Sequence, residues 1–138
     1  VHTHESKQNI QSDTDIYLVN SYGQSKSFFK FCKTVFLGGS LIKHGGQNPL
    51  EPARYGCEIL HGPNVSNFKE IYSLLNKHKV SHEVNSLNKI INNIDKIFKN
   101  KTNSKNIKKK IENLGNKILN STSKEVNFLL VKNDNKKT

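Results

Sequence analysis

Short apolar runs set between polar, glycine-containing loops occupy the first part of the chain, and after Ser86 the apolar residues change to helical spacing. VHTHE (Val1 to Glu5) and DIYLV (Asp15 to Val19) predict short strands, the second buried, because both are brief and rich in β-branched or apolar residues. NSYGQS is a loop, and SKSFFKFCK predicts a short helix with Phe28, Phe29 and Cys32 on or near one face. TVFLGG, CEILHG and VSHEV (Val80 to Val84) predict three further strands, the first two followed at once by glycine.

Between them the pattern has helix-start chemistry. Asn48-Pro49-Leu50-Glu51 predicts an Asn N-cap, Pro at the first helical position and Glu in a capping box, with Pro52 disturbing the first turn and Gly56 ending the helix. Asn67 and Glu70 predict a second capped helix running to about His78, with Phe68, Ile71, Leu74 and Leu75 as its apolar stripe. Leu87, Ile90, Ile91, Ile94, Ile97 and Phe98 mark a third. KNKTNSKNIKKK predicts a polar linker into a lysine-rich helix carrying Ile107, Ile111, Leu114 and Ile118, and a last helical segment takes in Val126, Leu129 and Leu130 before the NDNKKT tail. No internal repeat is present. Strands alternating with helices predict the α/β class, a parallel sheet flanked by helices, in which ligands bind at the carboxyl ends of the strands. Both glycine loops fall there.

The 138 residues suffice for one modest core, and the hydrophobic content of 33% is low because the C-terminal third is rich in Lys and Asn. A formal charge of +11 predicts an anionic partner or surface without naming it. Cys32 and Cys57 have no second cysteine at metal or disulfide spacing and read as reduced thiols beside or within apolar runs. No apolar run approaches the ~20 residues of a membrane span and no signal peptide is read, so membrane contact is expected to be peripheral. With no Met and Val1 at the start, removal of an initiator and a piece of a larger protein stand equally open, and the resemblance described below favours the second.

Thr34 to Pro63, TVFLGGSLIKHGGQNPLEPARYGCEILHGP, concentrates the candidate chemistry. Glycine turns let backbone amides approach a ligand, a helix start adds free N–H groups, and Glu51 could accept hydrogen bonds from vicinal hydroxyls. Phosphate with ribose is a nucleotide. From spacing alone, tight structural turns with Glu51 as a cap partner stand equally open; neither a dinucleotide GxGxxG loop nor a P-loop is present.

VFLGGSLIKHGGQNPLEPARYGCEILHGPNVSNFKEIY resembles the C-terminal-domain signature of the Kdo transferases, glycosyltransferases that move 3-deoxy-D-manno-octulosonic acid (Kdo) from CMP-Kdo to a lipid A precursor. Gly38-Gly39-Ser40-Leu41, Gly45-Gly46, Asn48 to Pro52, Gly62-Pro63 and Asn67 to Ile71 follow the family's order and spacing, and DIYLVNSYGQSKSFF resembles the segment ending in its Met-Gly-Glu loop. The resemblance covers about Asp15 to Tyr72. It implies a Rossmann-like domain of a GT-B enzyme, with CMP held by Tyr22, Gly23 and Gln24 and by Asn48, Pro49, Leu50 and Glu51. Gly38, Gly39, Ser40, Gly45, Gly46 and Asn67 are the implied supporting loop residues. It further implies metal-independent transfer, no cofactor beyond the donor substrate, and work at the cytoplasmic face of the bacterial inner membrane.

Gln24 stands where the family has Glu, and Gln47 where it often has His; neither can titrate, so neither is given an acid–base role. His44 lies in a variable part of the loop and reads as exposed. The family's N-terminal domain, with its membrane-associating surface, acceptor site and general base, has no counterpart in the chain, nor do the opening strands of the C-terminal domain. Residues 1–100 are therefore read as a partial CMP-Kdo binding domain and 101–138 as lysine-rich helices and tail, catalytically inactive alone. His2 and His4 lack a third ligand at convincing spacing, so no metal is assigned. The lysine-rich helices read first as a solvated face and second as a contact for anionic bilayer or lipid A phosphates; nucleic acid is disfavoured because no aromatics interleave with the lysines. Two alternatives stay open: the donor domain of another nucleotide-sugar glycosyltransferase, and a non-enzymatic basic module for anionic lipid or RNA.

Overall fold

The computed structural model describes residues 2–3, 10, 12–99 and 104–119. The predicted segment around Val126, Leu129 and Leu130 and the NDNKKT tail lie outside them, as does His4. Among the described residues five strands and five α-helices follow in order: β1 (His2–Thr3), β2 (Tyr17–Leu18), α1 (Ser25–Phe29), β3 (Thr34–Leu37), α2 (Leu50–Arg54), β4 (Glu58–His61), α3 (Lys69–Lys77), β5 (Ser81–Glu83), α4 (Leu87–Lys99) and α5 (Ser104–Leu119).

All strand pairing among the described residues is parallel. β3, β4 and β5 form one sheet in that order, with Val35 opposite Ile59 and Ile59 opposite Ser81; β1 and β2 form a separate pair. Because side chains alternate across a strand, neighbouring residues of the central strand β4 serve two different cores. Ile59 joins Leu37, Ala53, Tyr72, Leu75, Val80 and Ile107 on the face covered by α2, α3 and α5. Leu60 joins Val84 and Ile97, with Ile90 and Ile94 of α4, on the other. β4 is buried along its whole length, as a strand covered on both faces must be. Each fully buried Leu or Ile contributes roughly 1.5–3 kcal/mol, so α3 and α4 are held mainly by these stripes.

Several expectations need correction. DIYLV is not a buried strand: Ile16 and Leu18 are exposed, and only Tyr17 and Val19 turn partly inward, Tyr17 against the Phe28 ring at 5.9 Å. The run reads as apolar on both sides, but the described residues cover only one. α5 begins at Ser104, so most of the expected linker is helix; its Ile107 and Leu114 are buried and α5 packs on α2. Asn67 does not cap α3. A 3-10 turn, Ser66–Phe68, precedes that helix, whose N-cap is Phe68 with no side-chain capping bond. The backbone N–H of Asn67 donates to the Gly45 carbonyl at 3.1 Å, a contact between loops.

Candidate functional site

β3 and β4 both end in loops on the same edge of the sheet, and the two loops are tied together by Ser40. Its buried hydroxyl donates to the Leu37 carbonyl at 2.6 Å and accepts the Gly62 amide at 2.8 Å, while the Ser40 carbonyl accepts the Asn64 amide at 2.9 Å. The approach is so close that a Cβ on Gly62 would collide with the Ser40 backbone, and one on Gly45 would collide with the Asn67 side chain. Tyr72 adds another tie: its hydroxyl donates to the Gln47 carbonyl at 2.8 Å. His61, fully buried at the end of β4, stacks on Tyr72 and faces the Gly62 carbonyl with Nδ1 at 2.7 Å and Asn76 Oδ1 with Nε2 at 3.2 Å.

These bonds decide what the glycine pair does. Gly45 and Gly46 are buried, the Gly46 amide donates to the Gly39 carbonyl at 3.1 Å, and the Gly45 carbonyl accepts Asn67. They build the turn, with Gly39 half-buried beside them and Gly38 exposed. The phosphate cradle expected of their amides is therefore not formed by Gly46.

α2 starts one residue later than expected. The Leu50 amide donates to Asn48 Oδ1 at 3.0 Å, and Pro49 stands at the N-cap. Glu51 does not complete a capping box; its Oε1 lies 3.5 Å from Nζ of Lys26 in α1. With five residues, α2 aligns few peptide dipoles, so its N-terminus offers less attraction for an anion than a long helix would.

Asn48, Leu50, Glu51 and Arg54 form one wall of a groove of about 820 Å³, and Ser66 to Ile71 form the other. Asn67 thus faces the groove, while Pro49 is buried beneath it. Tyr22 is fully exposed, Gly23 is an exposed turn and Gln24 is half-buried at the N-cap of α1. None of these three lines the groove; their loop joins it through the Lys26–Glu51 pair. Lys26 and Lys69 were not singled out by sequence reasoning. Both lie within the segments that carry the resemblance; Lys69 lines the groove, and the pairing of Lys26 with Glu51, 25 positions away, could be found only from the fold. Among the described residues no group of three or more His, Cys, Asp or Glu could hold a metal ion, and no helix is long and apolar enough to cross a membrane.

A parallel sheet flanked by helices on both faces, with a groove beside the loops at its strand ends, is an α/β architecture with its candidate binding site where parallel sheets place theirs. The chain superimposes on the C-terminal CMP-Kdo binding domain of WaaA from Acinetobacter baumannii with a TM-score of 0.71, at 19% identity, over 95% of this chain and 61% of that one. No family model matches. In sequence the chain is similar to 3-deoxy-D-manno-octulosonic acid transferases: 38% identical over 74 residues to that of Haemophilus influenzae, covering 54% of this chain, and 27% identical over 77 residues to that of Aquifex aeolicus, covering 56%. The matched region spans only 17% and 22% of the length of those two relatives. The resemblance to Kdo transferases read from the sequence is thus met in curated relatives, and the fold in a solved structure.

Proposed function

We propose that this chain is the donor-binding part of a Kdo transferase. The observation that carries the reading is the groove beside the strand ends, with the Glu51 carboxylate on its wall, in a chain similar to Kdo transferases. Glu51 accepts hydrogen bonds from the ribose hydroxyls of CMP, and Asn48 and Asn67 offer amides to the base or sugar. Lys69 adds positive charge as the leaving group forms. In the intact enzyme a hydroxyl of a lipid A precursor attacks the anomeric carbon of Kdo. The new bond to the acceptor oxygen forms as the bond to the phosphate oxygen breaks, CMP leaves with the electron pair, and the hydroxyl proton passes to a carboxylate base outside the described residues. Such an enzyme works at the cytoplasmic face of the bacterial inner membrane.

The test is calorimetric titration of the folded 138-residue chain with CMP, UMP and GMP, beside Glu51→Ala. Selective CMP binding weakened at least about tenfold in the variant, the loss of one charge-assisted hydrogen-bonding group, is expected. A preference for UMP or GMP would point to another nucleotide-sugar transferase. Equal or absent binding by folded protein would overturn the reading.

A further inference from the structure

Lys26 sits in the first turn of α1, two residues beyond Gln24, and its ammonium lies 3.5 Å from the Glu51 carboxylate while its side chain stays largely in water. An exposed pair of this kind contributes little to stability, because solvent screens the attraction and two long side chains lose freedom to hold it. It does fix a cation beside the one carboxylate on the α2 wall of the groove. Gln24, at the start of the same helix, is neutral and does not compete for the ammonium as a carboxylate would. The glycine amides are meanwhile partly used inside the loop and α2 is short, so backbone groups supply only part of what a phosphate needs.

Resting on the nucleotide reading of this groove, we propose that Lys26 is a phosphate-binding cation of the donor site, acting beside Lys69 on the opposite wall, and that it changes partners on binding. In the free protein its ammonium is paired with Glu51. When the nucleotide enters, the ribose hydroxyls take the Glu51 carboxylate and the long Lys26 side chain turns to the phosphate, so the pair opens and two charge-assisted contacts replace one. The ion pair holds both groups ready at the groove in the absence of ligand. Lys26 therefore discriminates nucleotide from nucleoside.

The experiment compares CMP with cytidine on wild type, Lys26→Ala, Lys26→Arg and Glu51→Ala, with circular dichroism confirming the fold of each. Lys26→Ala is expected to weaken CMP about tenfold and leave cytidine within about twofold, so that the phosphate loses most of its advantage, while Lys26→Arg retains it. Equal weakening of CMP and cytidine in Lys26→Ala would show that Lys26 only positions Glu51 and would overturn the phosphate role. No change in Lys26→Ala, with binding still lost in Glu51→Ala, would overturn the Lys26 role and leave the nucleotide site standing. Failure of folded wild type to bind CMP would overturn both.

Discussion

Cys57 and Tyr72 show what burial does to single groups in this chain. Cys57 is fully buried, and burial, reinforced by Cys32 nearby, pushes its thiol up to about 11 from 9.0. Burial likewise pushes the Tyr72 phenol up to about 12 from 10.0. In both, the folded protein favours the protonated form. The unfolded chain releases these protons first, so stability is full below about pH 9 and falls as pH rises through the window from 9 to 12. Denaturant titrations are expected to show a midpoint that declines from pH 9 upward, with a smaller decline in Cys57→Ala between pH 9 and 11. A flat midpoint across that range would contradict the burial of both groups. The sequence placed Cys57 in an apolar strand and read it as a reduced thiol; that its Sγ faces the Phe29 and Cys32 carbonyls, each at 3.3 Å, depends on contacts 25 or more residues apart that no local pattern carries.

Among elements, β3 to β5, α3 and α4 were legible from their apolar patterns, although Leu87, Ile91 and Phe98 of the α4 stripe stay exposed and only Ile97 is buried. The caps were not: Asn48 and Asn67 have the local chemistry of N-caps, yet α2 begins after Pro49 and Asn67 serves the Gly45 loop. The Asn48 side chain still accepts the Leu50 amide in a local bond, whereas a 3-10 turn at Ser66–Phe68 takes the place of the expected cap at Asn67. The joint between the β3 and β4 loops rests on the Ser40 hydroxyl, buried and bonded on both sides. Ser40→Ala leaves the Gly62 amide without its acceptor, at a cost of roughly 1–3 kcal/mol. Urea unfolding should register that loss, and CMP titration should weaken as the groove wall at Ser66 to Ile71 loses its anchor. An unchanged unfolding midpoint would mean that the two loops are joined by other contacts.

The whole molecule carries +11, and the inward face of α5, with Ile107 and Leu114 buried, leaves Lys105, Lys108 and Lys109 exposed on the surface. The charge was legible at once; which lysines share an exposed face was not, because that depends on α5 starting at Ser104 and docking on α2. This surface fits an anionic bilayer, where each nearby Lys contributes about 1 kcal/mol. Flotation with vesicles rich in anionic lipid is expected to retain the chain at about 0.1 M salt and to release it toward 1 M, as the screening length falls from about 10 to about 3 Å. Retention that ignores salt, or equals that on neutral vesicles, would show that these lysines do not select an anionic bilayer.

Gly62 carries a consequence beyond this one chain. With the Ser40 backbone occupying the space of any side chain at that position, only glycine is compatible with the two loops as they lie here. In any chain sharing this architecture, a single letter at the corresponding place reports whether the loop pair can still close. A relative that has exchanged the glycine has either moved both loops or abandoned the groove, and that can be read before any coordinates exist.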